Sequence, residues 1–395
     1  LQLRATLEPV RDLKIDLTAT RTSTKSKSVQ YMYAGSPTTF SGSFNMTTIS
    51  IRSAMEGMGD ANNGYHSASF EKFCDNIETF RQRVQAQYDG VSPAVGGTVE
   101  PVDAYSADVL IPAFLSSYTT GAGSSLDIFP KLARLLPNWN VKYAGLAKLP
   151  WIRDHFKSMN LNHGYKSIYA VGSYASYSSW LQYMGDLGFI NSAGGALVPS
   201  SMYNISTVSI NEAFSPLLGI DMTFNNNLSL KAEYKTTRVL NLSMTSVQIN
   251  EAKSKDWVIG LGYKISDFKL FGNSASRKIK KAQGGKKRNS DSDDDKKTAS
   301  KTTSKGGVNH DLNTRIDISF RNQAAITRDI ASRVSSASSG NSALKISLAA
   351  DYTLSRLLTL TAYYDRQTNT PLLSASSYPT TTRDFGFSLK FSLTR

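Results

Sequence analysis

The stretch Phe385-Gly386-Phe387-Ser388-Leu389-Lys390-Phe391-Ser392-Leu393-Thr394-Arg395 alternates strictly between large apolar residues and small or polar ones. Neighbouring side chains of a β-strand point to opposite faces, so a strand here has one apolar face and one polar face. A helix would not separate the two classes. The stretch therefore predicts an amphipathic strand whose apolar face meets either a protein core or lipid.

The same alternation recurs at 344–352 and 358–365, with charged residues in mid-strand on the polar face. Such charges would lack partners inside a sandwich packed on both faces, but they are hydrated in the lumen of a large transmembrane β-barrel. The predicted fold class is all-β, a transmembrane antiparallel β-barrel with a partly helical insert. The predicted lumen-facing residues are Lys14, Asp16, Lys231, Glu233, Lys264, Arg315, Asp317, Lys345, Asp351, Asp365 and Lys390, and the predicted lipid-facing residues are Leu358, Leu360, Phe387, Leu389 and Phe391.

Composition supports the membrane interpretation. The 395 residues include 19 Tyr and 4 Trp, the rings that are enriched where a membrane meets water. The sequence has no run of about 18 apolar residues, which excludes a helical membrane protein. Its one cysteine, Cys74, cannot form an intramolecular disulfide.

The net charge of +14 suggests a nucleic-acid partner, but the location of the charge argues against one. Residues 272–306 hold 11 Lys and Arg against 4 Asp, half of the excess. No aromatic residues lie between the basic clusters to stack on bases. We interpret residues 272–307 as a disordered, solvated charged loop and predict no nucleic-acid binding.

Deleting residues 275–305 should leave barrel assembly intact. Their Gly, Ser, Lys and Asp content offers too little apolar surface to compensate the entropy of ordering the loop. The amount of folded protein in purified outer membranes measures the effect, and loss of the assembled barrel would show that the loop is structural.

The other predicted segments are barrel strands at 1–52, the insert at 53–136, barrel strands at 137–271 and C-terminal barrel strands at 308–395. In the insert, Phe70, Phe73, Ile77 and Phe80 have helical spacing, with Ser69 as the predicted N-cap. Cys74 on the same apolar face is predicted to be a small buried residue. We interpret the insert as a plug, a lid or a cap.

Several boundaries rest on turn-forming or charged residues. The predicted strands include 203–214, 217–224, 228–236 and 238–249, followed by a turn at 251–255 and a strand at 256–271. A hairpin is predicted from 312–321 and 325–330, loops at 22–37 and 173–201, and a short helix at 126–136. Pro112 is expected to interrupt the apolar run 109–115.

Three similar segments follow short turns, at 13–21, 228–238 and 358–366. This repeat predicts hairpins with a tight turn at one end and a longer loop at the other, as outer-membrane barrels have. The side of the insert stays open, because it reverses if 203–224 is one bent strand rather than two.

Catalytic and metal-binding motifs are missing from the sequence. It has no Gly-rich phosphate loop after a strand, no HExxH, no CxxC and no GxSxG. The four histidines, His66, His155, His163 and His310, have no metal-ligand spacing. We therefore predict no enzyme activity, no catalytic residues, no metal site and no cofactor.

Five motifs suggest a family. They are VLIPAFL at 109–115, LPNWNV at 136–141, FSPLLG at 214–219, KSKDWVIGLGYK at 253–264 and DLNTR at 311–315. The chain resembles the C-terminal region of the SprA/Sov translocon of the type IX secretion system of Bacteroidota, in order along nearly its whole length. The resemblance implies the C-terminal portion of a very large barrel in the outer membrane of a Gram-negative cell. It also implies export of folded cargo proteins and, in gliding species, of adhesins.

The resemblance implies partners as well. They are a smaller outer-membrane barrel docking at a lateral opening, a periplasmic plug protein and the secreted cargo proteins, besides the lipid and lipopolysaccharide of the membrane. Two alternatives remain open from the sequence: a self-contained outer-membrane porin or transporter barrel, and a soluble all-β surface adhesin, which would need no detergent.

Residues 1–395 alone are not expected to form a stable closed pore. The alternation of Leu1, Leu3, Ala5 and Leu7 predicts a strand already under way at Leu1, and an unpaired strand edge in lipid costs several kcal/mol for each unsatisfied backbone group. Reconstitution into bilayers tests this expectation. Discrete, reproducible single-channel conductance from a monomer would favour the self-contained porin.

Overall fold

The computed structural model describes residues 1–29, 31–32, 38–90, 98–192, 194–266, 268, 310–355, 357–373 and 378–392. The predicted charged loop at 272–307 and the predicted strand end at 393–395 lie outside these residues. The strands are β1 Gln2–Val10, β2 Leu13–Ser28, β3 Thr39–Thr47, β4 Asn138–Tyr143, β5 Phe156–Ser176, β6 Leu181–Met184, β7 Leu187–Asn191, β8 Leu197–Pro199, β9 Tyr203–Asn204, β10 Thr207–Phe224, β11 Leu228–Ser243, β12 Gln248–Ile265, β13 Leu312–Asp329, β14 Ser335–Thr353, β15 Leu358–Pro371 and β16 Thr380–Phe391. The α-helices are α1 Ile51–Ala54, α2 Ala68–Tyr88, α3 Ala107–Tyr118 and α4 Pro150–Arg153.

One large antiparallel sheet organises the described part of the chain. Its 13 strands follow the order β1-β2-β3-β5-β10-β11-β12-β13-β14-β15-β16, with β4 paired to β2 and β5, and β9 paired to β5. Among the described residues β1 and β16 are its edges, and no pairing joins them. The fold class is therefore all-β, with few helices.

The position between β2 and β5 is shared by two strands. β3 pairs with the second half of β2 (Met46 opposite Arg21), and β4 pairs with the first half (Trp139 opposite Leu17). Both strands also pair with β5, and both pairings are antiparallel. β3 and β4 are thus two halves of one strand line, and residues 48–137 leave the sheet and return to it in mid-strand.

The inserted residues form a helical layer. Helix α2 begins at Ser67, whose hydroxyl accepts from the backbone N–H of Phe70 at 3.3 Å. Ser69, the predicted N-cap, lies inside the helix, and its own N–H donates to the carboxylate of Glu56. Phe73 and Phe80 on α2 are buried, as their spacing predicted.

Helix α3 runs through Pro112, so the predicted interruption there is wrong. A proline inside a helix costs about 3 kcal/mol, but Leu110, Ile111 and Phe114 around it are completely buried, and this packing offsets the cost. The helix predicted at 126–136 is reduced to a short 3-10 turn, Leu132–Arg134.

Several strands are longer than predicted. β10 is one strand with an irregular register between Phe214 and Leu218, rather than two strands. β11 continues to Ser243, and β12 includes the predicted turn at 251–255, since the chain turns at 244–247 instead. The hairpin predicted from 312–321 and 325–330 is the single strand β13. The charged residues that suggested turns lie within paired strands.

Two predicted loops also contain strands. β2 extends to Ser28 and pairs with β3 across the region predicted as polar loop. Within 173–201, β5 continues to Ser176, and β6, β7 and β8 form a separate sheet of 3 strands. Phe189 and Leu197 of this small sheet are buried against the helical layer.

The sheet has two distinct ends. Short connections at 11–12, 225–227 and 354–357 lie at one end, which we call the short-turn end, and each precedes one of the three repeated segments. The connections at 244–247 and 330–334 at the opposite end are also short, and the long connection 266–311 between β12 and β13 starts and finishes at the short-turn end, so the predicted asymmetry holds only in part. The side of the insert depended on whether residues 203–224 form one strand or two. They include the single strand β10, and the insert packs on the half of the sheet away from the short-turn end.

Candidate functional site: the two faces of the sheet

The strand register places all the predicted lumen-facing residues on one face of the sheet. Lys264 pairs with Asn313, Asn313 with Asp351, and Asp351 with Thr361. A neighbouring row runs from Lys231 through Gly260, Asp317 and Ser347 to Asp365. We call this surface the polar face.

The predicted lipid-facing residues lie together on the other face. Leu358 is opposite Phe391, Leu360 is opposite Leu389, and Phe387 is opposite Ala362. We call this surface the apolar face. The sorting of residues between the faces is as the alternation predicted, while contact of the faces with a lumen and with lipid stays a prediction.

Charges of both signs alternate on the polar face. Glu233 accepts from Lys231 at 3.0 Å and from Lys235 at 2.8 Å. Arg321 pairs with Asp256 at 2.7 Å across neighbouring strands. The cation of each pair is 36–61% exposed, so water screens the pair and each contributes about 1 kcal/mol or less. Their main effect is to keep the face hydrated.

A shallow depression of about 770 Å³ lies on this face, lined by Asp221, Lys231, Asp317 and Lys345 among others. Anionic and cationic groups face each other across it, so it has no single sign of charge to concentrate one kind of ion. A surface of this kind repels no charge class strongly.

In the described part of the chain, no element covers the half of the apolar face near the short-turn end, and we call this half bare. Its exposed side chains lie on β12, β13, β14 and β16, and the fraction exposed is 41% for Ile259 and 78% for Phe387. The half-buried Leu230 of β11 and Leu358 and Leu360 of β15 complete a band from β11 to β16. The band members include Trp257, Ile259, Leu261, Tyr263, Ile316, Ile318, Phe320, Leu344, Leu348, Phe385, Phe387, Leu389 and Phe391. Such a surface is far larger than the isolated apolar patches of ordinary soluble proteins.

Aromatic rings lie along both borders of the band. On the side of the insert, Trp257 stacks on Tyr234 with ring centroids 4.3 Å apart, and Phe320 is opposite Trp257. On the short-turn side, Tyr263 of β12 is opposite Leu228 and is 41% exposed, and Phe391 of β16 is opposite Leu358 and is 60% exposed. From Trp257 to the end of β12 the strand rises about 27 Å, which a tilt of about 40° reduces to roughly 20 Å, close to the apolar belt of membrane barrels.

The insert packs on the other half of the same apolar face. Tyr169, Ile210 and Leu240 of the sheet are completely buried beneath it, in one core with Phe73 and Phe114 of the helices. Along β11, therefore, the same row of side chains is covered by helices at one end and bare at the other. The polar face carries none of this core.

Buried charges mark the border between the two halves. Arg238 bonds Glu212 at 2.9 Å, and Arg328 bonds Glu251 at 2.8 Å. Glu212 also accepts from the hydroxyl of Tyr165 at 2.6 Å. All these groups except Tyr165 are charged residues within strands, and their burial requires partners of opposite charge and further hydrogen bonds. We call Glu212, Arg238, Glu251, Lys253 and Arg328 the border cluster.

The border cluster fixes the first segment of the insert. Arg238 donates to the carbonyl of Ser53 at 2.7 Å, and Arg328 donates to the carbonyl of Tyr65 at 2.6 Å. The Lys253 ammonium donates to the carbonyls of Ala54 and Glu56 at 2.7 and 2.6 Å. Sheet cations thus satisfy backbone carbonyls in a stretch with little regular structure.

The sequence interpretation missed this cluster because it placed a turn at 251–255. One signal could have found it. The odd-numbered positions from Tyr263 back to Ile249 keep one face through Lys255, Lys253 and Glu251, so the charges continue a strand pattern rather than ending it.

The cysteine and the histidines of the described residues have structural surroundings. Cys74 is buried as predicted, and burial raises the pKa of its thiol to about 11, so the thiolate is scarce near neutral pH. His163 contacts the carbonyl of Leu217 and His66 contacts Glu71. No three His, Cys, Asp or Glu side chains in the described ranges are grouped to hold a metal ion.

Leu389→Arg should impair assembly, whereas Lys390→Glu should be tolerated. Leu389 is 63% exposed on the apolar face, where an arginine in lipid costs about 2–4 kcal/mol. Lys390 lies on the polar face opposite Thr359. The amount of folded protein in membranes compares the two variants, and the opposite ranking would reject this register.

The helices of the described part of the chain are too short or too polar to cross a membrane. Comparison of the chain with protein-family models found no match, and comparison with curated proteins found none either.

Proposed function

We propose that this chain forms part of the wall of a large outer-membrane β-barrel, with its apolar face in lipid and its polar face in a water-filled lumen. The observation that carries the proposal is the bare apolar band, bordered by aromatic rings on both sides and backed by a face of mixed charge. A soluble adhesin would bury this band. The opposite faces of one sheet match the two environments that a barrel wall separates.

The proposed barrel is wider than this sheet. β1 and β16 are not paired with each other among the described residues, and open sheet edges do not persist in lipid. We propose that further strands pair with both edges. A self-contained porin would instead require β1 and β16 to meet.

We propose protein conduction as the activity, with no catalysis and no cofactor. A wide lumen lined by alternating cations and anions stays hydrated and gives a folded protein little apolar surface to adhere to. The resemblance to the SprA/Sov translocon supports assignment to the type IX secretion system, with folded cargo proteins and gliding adhesins as the material exported. The partners proposed with it are a smaller barrel at a lateral opening and a periplasmic plug protein.

In this proposal the insert is a cap on the outside of the barrel wall, not a plug in the lumen. A plug would fill the lumen and contact the polar face, but α2 and α3 pack on the apolar face beyond the aromatic border. The cap thickens the wall on one side of the membrane and limits how far the lipid extends along the strands.

Cross-linking to cargo tests the proposal. A cysteine at Asp317, on the polar face, should form a disulfide with a cysteine on a folded cargo protein stalled during export. A cysteine at Ile316, on the apolar face, is the matched control and should not. The native Cys74 is buried and adds little background. Equal cross-linking at both positions, or cross-linking only at position 316, would reject the assignment of the faces.

A further inference from the structure

A cavity of about 490 Å³ lies where the insert meets the bare band. One wall is the apolar face of the sheet, at Lys253, Lys255 and Asn322, and the other wall is the segment 58–62 of the insert. Lys255 and Asn322 are opposite each other in the register. The cavity therefore opens on the border between the helical layer and the apolar band.

The sheet wall of the cavity is cationic. The Lys255 side chain is exposed, and among the described residues no carboxylate lies within ion-pair distance of it. Lys253 uses two of its three N–H donors on the carbonyls of Ala54 and Glu56. Asp60 also lines the cavity, but its carboxylate accepts the backbone N–H groups of Asn62 and Asn63.

The cavity continues directly into the apolar band. One row beyond Lys255 and Asn322, about 7 Å along the strands, lie Trp257 and Phe320, which are 52% and 41% exposed. A ligand that fills this site thus meets cations and an amide at one end and aromatic and aliphatic surface at the other. A free anion would contact only the cationic end of the site, and an apolar molecule would contact only its aromatic and aliphatic end.

We propose that this cavity binds the phosphate-bearing headgroup of a membrane lipid, with Lys255 and Lys253 facing the phosphate, Asn322 donating to it and the acyl chains lying on the band from Trp257 onward. The inference rests on the proposed function, because it requires the band to lie in a membrane. It adds a defined lipid site on the outer wall, held partly by the cap and partly by the sheet.

Lipid binding to the intact protein, delipidated in a neutral detergent, tests the site. Native mass spectrometry would compare phosphatidic acid with diacylglycerol of the same acyl chains, so that only the phosphate differs. We expect phosphatidic acid to bind at least about tenfold more tightly. Lys255→Gln should weaken its binding about fivefold, the effect of one cation near an anionic lipid. Lys72→Gln, an exposed neutralisation on α2, is the matched control and should change nothing.

Three results would overturn the site. They are equal binding of the two lipids, equal effects of Lys255→Gln and Lys72→Gln, and complete displacement of phosphatidic acid by an equal concentration of inorganic phosphate, which would indicate a free-anion site. Failure of the proposed function can be distinguished from failure of the lipid site by the requirement for detergent. A protein that stays dispersed without detergent has no membrane band, whereas loss of the lipid site alone leaves the detergent requirement unchanged.

Discussion

Arg328→Met should destabilise the folded protein by about 3–5 kcal/mol and free the insert from the sheet. Arg328 is completely buried and donates to Glu251, to the carbonyl of Tyr65 and to Ser335. Its removal takes away the closer ion-pair partner of the buried Glu251 carboxylate and leaves Arg238, 4.0 Å away. Breaking a buried ion pair by removing one partner has about this cost. Limited proteolysis of the insert and denaturant unfolding in detergent measure the effect.

Arg333→Met is the matched control. Arg333 also joins the sheet to the insert, through a 2.8 Å pair with Asp75, but its side chain is 58% exposed and that of Asp75 is 68% exposed. An exposed pair is worth about 0–1 kcal/mol, so this variant should keep the insert protected. Glu251→Gln combined with Arg328→Met removes both charges and should recover part of the loss. Equal effects of Arg328→Met and Arg333→Met would mean that the border cluster does not hold the insert.

The local pattern of the sequence predicted both faces of the sheet but not the length of its strands. Alternation determines which residues share a face wherever one strand is unbroken, so the register places Lys390 and Leu389 on opposite faces, as the alternation predicted. Charges at Glu251 and Lys253 suggested a turn, because a charge on an apolar face is costly without a partner. Their partners come from Arg328 on β13 and from the carbonyls of the insert, which are remote in sequence.

The strand line formed by β3 and β4 could not be predicted from the sequence either. Thr47 and Asn138 are neighbours in the sheet only because β2 and β5 hold β3 and β4 between them. Nothing in either segment encodes the register of the other. The helical spacing of Phe73 and Phe80 predicted α2, but the face that α2 covers depends on pairing across 90 residues, and for this reason the choice among plug, lid and cap stayed open.

Ile259→Arg should strongly reduce the amount of assembled protein in the outer membrane, and Val258→Arg should not. Ile259 lies inside the bare band, between Ala232 and Ile318 in the register. An arginine in lipid near the bilayer centre costs about 2–4 kcal/mol, a factor of about 30 to 700 in an equilibrium constant. β12 has a neighbour on both sides, so the strand cannot move away from lipid as an edge strand can.

The adjacent substitution Val258→Arg places the same side chain on the opposite face. Val258 is paired with Glu233 and Ser319 on the polar face, so the new guanidinium lies beside a carboxylate and stays hydrated. Quantifying the protease-resistant protein in purified outer membranes compares the two variants at equal expression. Similar losses would show that both faces are buried in protein, as in a soluble sandwich, while a loss only for Val258→Arg would place lipid on the polar face. A loss confined to Ile259→Arg is the outcome that a barrel wall requires. A new charge is tolerated on the face of the sheet that water reaches, and it is costly on the face that contacts hydrocarbon.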